Sequence, residues 1–151
     1  KKKTDGTPVL KKRICGNRFE GTNIYKRGEY YYLFASIGTC CNGATSTYQT
    51  VVGRSKNVLG PYLDKTGRDM LYDYCEIIMS GNETWAGPGH NSILIQDDAG
   101  TDWIIYHGYK KKEAENGRYV LMDKLIWSND GWPSVKSNAP SILEVAPYFQ
   151  K

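Results

Sequence analysis

Apolar and polar positions along this chain alternate in short runs, with no sustained helical stripe. Residues 22–26 alternate, Arg27 and Gly28 turn the chain, and residues 30–36 (YYYLFAS) read as an aromatic strand. A Gly-, Thr- and Asn-rich loop fills 38–45. Residues 48–55 read as a strand around Val51 and Val52, and 57–61 as a turn. The pattern then restarts. Residues 90–96 predict a strand, 97–100 a turn, 103–109 a strand, and 110–117 a charged loop with room for one helical turn at 110–115. Residues 118–128 predict a long strand that ends in a hairpin turn at 129–131.

Laid together, the stretch EGTNIYKRGEYYYLFAS from Glu20 and the stretch GHNSILIQDDAGTDWIIYHG from Gly89 look like one unit used twice. Each reads as strand, tight turn, aromatic strand, loop and third strand. The offset, about 70 residues, exceeds a propeller blade of about 40–50, and loop insertions make up the difference. The prediction is an all-β chain built of β-propeller blades, with a β-sandwich as the alternative. Two units and their flanks cannot close a ring, because propellers use at least about four blades. A propeller reading therefore makes this chain part of a larger one.

Composition narrows the classes. The chain has 151 residues, enough for one domain. No run approaches the roughly 18 apolar residues of a membrane span, and the first residues lack the apolar stretch of a signal peptide. The formal charge is +4, but it is unevenly placed. Residues 1–13 hold six Lys or Arg and one Asp, whereas the other 138 hold 14 basic and 15 acidic side chains. The body is near neutral, which argues against a nucleic-acid partner and makes 1–16 a basic leader or linker ahead of a domain at 17–151. Four cysteines, Cys15, Cys40, Cys41 and Cys75, form no CxxC, and only two histidines accompany them, so zinc-ligand spacing is absent. They read as small buried hydrophobes in a loop-rich wall, and a disulfide from Cys15 to Cys40 or Cys41 stays open.

Two residues stand where chemistry would sit. Glu20 opens the first unit within Arg18-Phe19-Glu20-Gly21-Thr22, where a strand start would aim it at a channel mouth. An apolar neighbour such as Phe19 would raise its pKa, as a general acid requires; a surface glutamate is the plain alternative. His90 holds the corresponding place in the second unit. The run Gly87-Pro88-Gly89 before it permits close backbone approach and aims the imidazole inward, toward a metal or a substrate; a hydrogen-bonded core histidine is the alternative. His107, between Tyr106 and Gly108, reads as structural.

Five segments carry a resemblance to a known family. They are Phe19-Glu20-Gly21-Thr22 running into residues 30–36; Cys40-Cys41 with Ser46-Thr47-Tyr48; Val52-Gly53-Arg54-Ser55 with Gly60-Pro61-Tyr62; Gly87-Pro88-Gly89-His90-Asn91; and Gly117-Arg118 leading to Trp127-Ser128-Asn129-Asp130-Gly131-Trp132-Pro133. In this order, over about residues 17–149, the chain resembles the carboxy-terminal half of glycoside hydrolase family 43, the arabinanase, arabinofuranosidase and xylosidase group. The resemblance implies roughly the last three blades of a five-bladed propeller and inverting hydrolysis of arabinose- or xylose-containing plant polysaccharides. It implies that Glu20 is the general acid and that His90 faces a calcium or its water shell. Arg118, Cys40, Cys41, Ser46 and Trp85 would contact sugar. It also implies a secreted or periplasmic protein.

Departures accompany the resemblance. The family's two catalytic Asp motifs, general base and pKa-tuning residue, are not present in these 151 residues. Thr22 stands where many members have Pro. Lys110 stands where arabinanases often have Asp, which weakens an arabinanase-type assignment. An acid without its base holds half the machinery of inversion. The chain is therefore expected to be catalytically incomplete alone and to associate with itself or with the missing half. The alternative is a non-catalytic carbohydrate-binding or assembly fragment.

Overall fold

The computed structural model describes residues 4–6 and 11–150. Seven of the sixteen residues of the predicted leader, 1–3 and 7–10, lie outside the described residues. The part that is described ends packed on the body. Ile14 and Cys15 touch the core, and the Gly16 amide donates to the Met70 carbonyl at 2.8 Å.

Among the described residues, three antiparallel sheets form, of four, four and two strands. In the first, β1 (Glu20–Arg27), β2 (Tyr30–Ile37), β3 (Gln49–Ser55) and β4 (Glu76–Met79) pair in sequence order. Alternation along β2 explains why this sheet has two buried faces. Tyr32 and Phe34 turn to one side, Leu33, Ala35 and Ile37 to the other. The second face is covered by Phe19 and by the excursion after β3, which inserts Tyr62 and Met70. Gly53 is required there, since a Cβ would lie 2.4 Å from the Met70 sulfur.

The second sheet contains β5 (Trp85–Gly89), β6 (Ile95–Gln96), β7 (Asp102–Lys110) and β8 (Arg118–Lys124). β5 and β6 both pair with β7 in separate stretches, and β8 pairs with β7 over its whole length. The strand predicted over 90–96 is therefore realised only at its end. His90 takes a positive φ of 52°, which leaves β geometry and breaks the strand between β5 and β6. The long strand predicted over 118–128 also breaks, at Leu125, whose amide bonds the Asp102 carbonyl; β9 (Ile126–Trp127) then forms a hairpin with β10 (Pro133–Ser134). The charged loop carries a 3-10 segment, Lys111–Asn116.

The first two sheets pack face to face. Tyr32, Phe34 and Val52 from one meet Ile104, Tyr106 and Leu94 from the other in one cluster with Trp132 and Val135. Asp102 bolts the join. Buried at 2% exposure, its carboxylate accepts from the Tyr25 hydroxyl at 2.6 Å, Trp127 Nε1 at 2.7 Å, Gln96 Nε2 at 3.1 Å and Arg27 Nε at 3.2 Å. Among the described residues no helix is long and apolar enough to cross a membrane.

Candidate active site

The ends of both sheets meet at Glu20. β1 starts there, opposite Ser36. Phe19 turns into the core at 8% exposure, while Glu20 itself is exposed, so the two do not make the expected apolar contact. The group that touches Glu20 is Tyr48. Its hydroxyl donates to Glu20 Oε2 at 3.0 Å, and the residue is 1% exposed. Burial first, and then the neighbouring carboxylate, push the phenol up to about 12.

The Gly-Pro-Gly run makes room for this tyrosine. A Cβ on Gly89 would lie 2.5 Å from Tyr48 Cδ1, and one on Gly87, at φ +60°, would lie 2.6 Å from Ser46 Cβ. Close backbone approach was the correct expectation for these glycines, but the groups approached are Ser46 and Tyr48. The turn at His90 brings its amide to the Ser36 hydroxyl at 2.7 Å. The imidazole is exposed and stacks on His107, with centroids 6.0 Å apart and planes 26° apart; Tyr48 also stacks on His107, at 6.0 Å.

His107 thus stacks with both His90 and Tyr48, the tyrosine that bonds Glu20. Its Nε2 lies 3.4 Å from Arg118 Nη1. A guanidinium can only donate, so this nitrogen must accept and the proton belongs on Nδ1. Nδ1 is buried with no partner among the described residues. Burial, then Arg118, then His90 hold the imidazole below its ordinary range, consistent with that neutral form. Ile105, Ser92 and Val120 join the two histidines around a hollow of about 200 Å³.

The remaining predicted residues are placed as follows. Arg118 begins β8 and reaches the stack through His107. Ser46 is buried, accepts from the Asn42 amide at 3.0 Å and donates to the Cys40 carbonyl at 3.4 Å, which pins the loop carrying both cysteines. Cys40 and Cys41 form a disulfide with each other, while Cys15 and Cys75 are free; this replaces the long-range bridge left open above. Trp85 sits at the far end of β5, edge-on to Tyr119, and does not join the ring stack. Lys110 is held by Glu113 at 2.5 Å.

Calcium takes about six to eight oxygen ligands. Near His90 stand the His107 imidazole, the Tyr48 phenol with its Glu20 carboxylate, and the Arg118 guanidinium, and no group of three or more His, Cys, Asp or Glu suited to a metal occurs among the described residues. The protein atoms at His90 do not make a calcium site. Among the described residues no second carboxylate is bound into this cluster either. The buried aspartates are engaged elsewhere, Asp64 by Arg68, Asp97 by Trp103, Asp123 by Tyr106, and Asp102 at the join of the sheets.

The arrangement can be compared with known proteins. The profile of the glycosyl hydrolases family 43 matches residues 1–133. The chain belongs to this family. Among similar proteins, the extracellular exo-alpha-(1->5)-L-arabinofuranosidase ArbA of Cellvibrio japonicus is 45% identical over 118 residues, which cover 78% of this chain and 33% of that protein. The extracellular endo-alpha-(1->5)-L-arabinanase 1 of Bacillus subtilis is 40% identical, over 79% of this chain and 35% of its own length. The solved Cellvibrio cellulosa alpha-L-arabinanase complexed with arabinohexaose superposes with a TM-score of 0.74 at 44% identity, covering 80% of this chain and 37% of that one. This family 43 chain thus spans about a third of the length of the curated relatives it matches. Its sheets are blades of the five-bladed propeller that the family resemblance implies.

Proposed function

We propose that this chain is the acid-bearing part of an arabinan-degrading glycoside hydrolase, with Glu20 protonating the leaving glycosidic oxygen. The observation that carries the reading is the position of Glu20. It is an exposed carboxyl at the start of β1, bonded by a buried tyrosine that stacks on His107, which in turn touches His90 and Arg118. Exposure gives the glycan access, and Arg118 supplies donors for sugar hydroxyls. The names of the relatives favour arabinan over xylan, in spite of Lys110, and the word "extracellular" in two of them supports a secreted protein.

An inverting reaction needs a second carboxylate roughly 6.5–9.5 Å from the first, with a water between. On this reading the base comes from sequence outside these 151 residues, joined to the chain or brought by association. The bare outer face of the second sheet, where Val120 is 79% exposed, is where further blades would pack. Any calcium would be held through its waters, with His90 the nearest protein group.

The test joins the chain to the amino-terminal blades of the Bacillus relative and measures reducing ends released from arabinan. Release is expected from the joined protein and not from the chain alone. Glu20→Gln should abolish it on arabinan and spare activated aryl glycosides, whose leaving groups need less proton assistance. Equal loss on both substrates would show that Glu20 only positions sugar. Arabino-oligosaccharide binding with no release from the joined protein would favour the non-catalytic binding fragment.

A further inference from the structure

The first sheet has a second concave feature, at the end of β2 away from Glu20. Ser36 is the residue opposite Glu20, and Tyr30 lies six positions earlier on β2, about 20 Å away at about 3.3 Å per residue. At the Tyr30 end, the last residues of β3 and the excursion after it enclose a hollow of about 450 Å³, with Tyr30, Pro61 and Leu63 among its walls. Arg54, Lys56 and Lys65 bring three positive charges to it. The Arg54 guanidinium lies against the rings of both Tyr30 and Trp132, 4.5 and 4.4 Å from their centroids, and its Nη1 donates to the Asp130 carbonyl at 2.6 Å. These contacts hold it in place before any ligand arrives. Among the described residues neither Arg54 nor Lys65 forms an ion pair with a carboxylate. Lys56 meets Glu29 at 3.2 Å, but both side chains are exposed, and such a pair is displaced at little cost.

The acids nearby are already engaged. Asp64, the carboxylate in the lining, is buried. Arg68 Nε reaches its Oδ2 at 2.8 Å, and the amides of Thr66 and Arg68 and the Thr66 hydroxyl reach its Oδ1, each at 2.9 Å. Asp130 accepts from the Ser128 hydroxyl, and Glu76 from the Lys65 amide at 2.8 Å. We propose that this hollow binds a carboxylated sugar, the uronate unit of an acidic glycan, at the end of the sheet away from Glu20. The sugar carboxylate pairs with Arg54, Lys56 and Lys65, and the C–H face of the ring covers Tyr30, Pro61 and Leu63. The Asn57 side-chain oxygen accepts from the Leu59 amide at 2.9 Å, which leaves its NH2 to donate to sugar hydroxyls. A bare inorganic anion would leave the apolar wall uncovered. A long polyanion would need cations running well beyond the hollow, whereas residues 14–151 hold 14 basic and 15 acidic side chains. That a sugar carries the carboxylate rests on reading the chain as part of a glycan-degrading protein. The site is an anchor and takes no part in the chemistry at Glu20.

The test titrates trigalacturonate into the chain and follows backbone amide shifts by NMR, beside the same trisaccharide with its carboxyls reduced to alcohols. Trigalacturonate should move Tyr30, 54–57 and 60–67 and leave Glu20, Tyr48 and 87–90 in place. Lys56 and Lys65 are exposed, so their replacement leaves the fold intact. Lys56→Ala and Lys65→Ala should each weaken binding about two- to fivefold, and added salt should weaken it further. Equal binding of the reduced trisaccharide would leave ring stacking alone and overturn the proposal. Inorganic phosphate binding as tightly at the same residues would overturn it too, by making the hollow a general anion site. So would trigalacturonate that moves none of these amides, or that binds equally well to both lysine variants. Failure of the glycosidase reading shows separately, as a joined protein that releases nothing from arabinan while trigalacturonate still binds and the lysine variants still weaken it.

Discussion

The two main sheets differ in how much of themselves they bury. The first is covered on both faces: Leu33, Ala35, Ile37 and Val51 lie under Tyr62 and Met70 on one side, Tyr32, Phe34 and Val52 under the second sheet on the other. The second sheet has one covered face, Ile104 and Tyr106, and one open face, where Val120 is 79% exposed. The strands follow suit. β1 and β2 run eight residues each, whereas the inner edge of the second sheet is cut at His90. The closed sheet supplies a rigid start for Glu20, and the cut in the open sheet supplies the turn that reaches it. Rigidity and close approach come from different blades.

The largest expected effect tests this asymmetry directly. Phe34 is fully buried between the sheets, so Phe34→Ala should cost about 3–5 kcal/mol in urea unfolding. Val120→Ala on the open face should stay within about 0.5 kcal/mol. Comparable losses at the two positions would mean that the open face is covered in solution. Next in size is Asp102→Ala, which strands donors from both sheets and the β9 hairpin. A loss of about 1–3 kcal/mol is expected, with Tyr25 and Trp127 spectroscopically freed. An unfolding midpoint unchanged by the substitution would show that apolar contacts alone join the blades.

The same asymmetry governs what could be read from sequence. β2 and β7 were legible because aromatic and aliphatic residues alternate without interruption over whole strands. The run from 90 to 96 misled because its apolar residues have strand composition, while the backbone turns left-handed at a residue other than glycine. β4 was missed: four residues, Glu76–Met79, bounded by loops, carry too little pattern. Motifs single out Glu20, Ser46, His90 and Arg118; in the structure Glu20 bonds Tyr48, His90 and Arg118 both touch His107, and Ser46 lies against Gly87. Tyr48 and His107 were not recognised as site residues, because their roles depend on contacts with distant strands. One signal for His107 was present: Ile105, His107 and Tyr109 alternate on one face of β7, opposite β5.

A smaller effect separates the sheets by acid. Asp64, in the cover of the first sheet, and Asp97, in the turn before β7, are both pushed up by burial. Donors then hold them below the ordinary range: for Asp64 the Arg68 amide, Thr66 and the Arg68 guanidinium, for Asp97 the Trp103 indole and the amides of Thr101, Tyr148 and Ala99. A carboxyl whose folded pKa is depressed stabilises fully above its unfolded value of about 3.9, and that share is lost as pH falls through the lower folded value. Stability should therefore be level with respect to these two groups from neutral pH down to about 4 and fall below it. Asp64→Asn and Asp97→Asn should each flatten that acid limb in pH-dependent unfolding. A limb equally steep in both variants would place the acid sensitivity elsewhere.

The smallest stability effect is expected where the blades lean together at the cysteine loop. Gly43 of that loop faces Ala114 of the Lys111–Asn116 segment, and Ser46 ties the Cys40 carbonyl beneath it. The Cys40–Cys41 bond joins neighbours, so it closes almost no chain in the unfolded state. Disulfide stabilisation grows with the loop closed, so reduction should cost less than the about 2–4 kcal/mol of an ordinary bridge. Its consequence is local: two thiolate-forming side chains replace one rigid ring at the wall beside Ser46. Thiol titration of the folded chain should count two reactive groups before mild reduction, Cys15 and Cys75, and four after. Amide shifts on reduction should cluster at 39–47 and 111–116 and leave the Asp102 join unmoved. Four thiols before reduction would remove the bond, and shifts spreading to Tyr25 and Trp127 would show that the loop, and not the buried carboxylate, holds the blades in register.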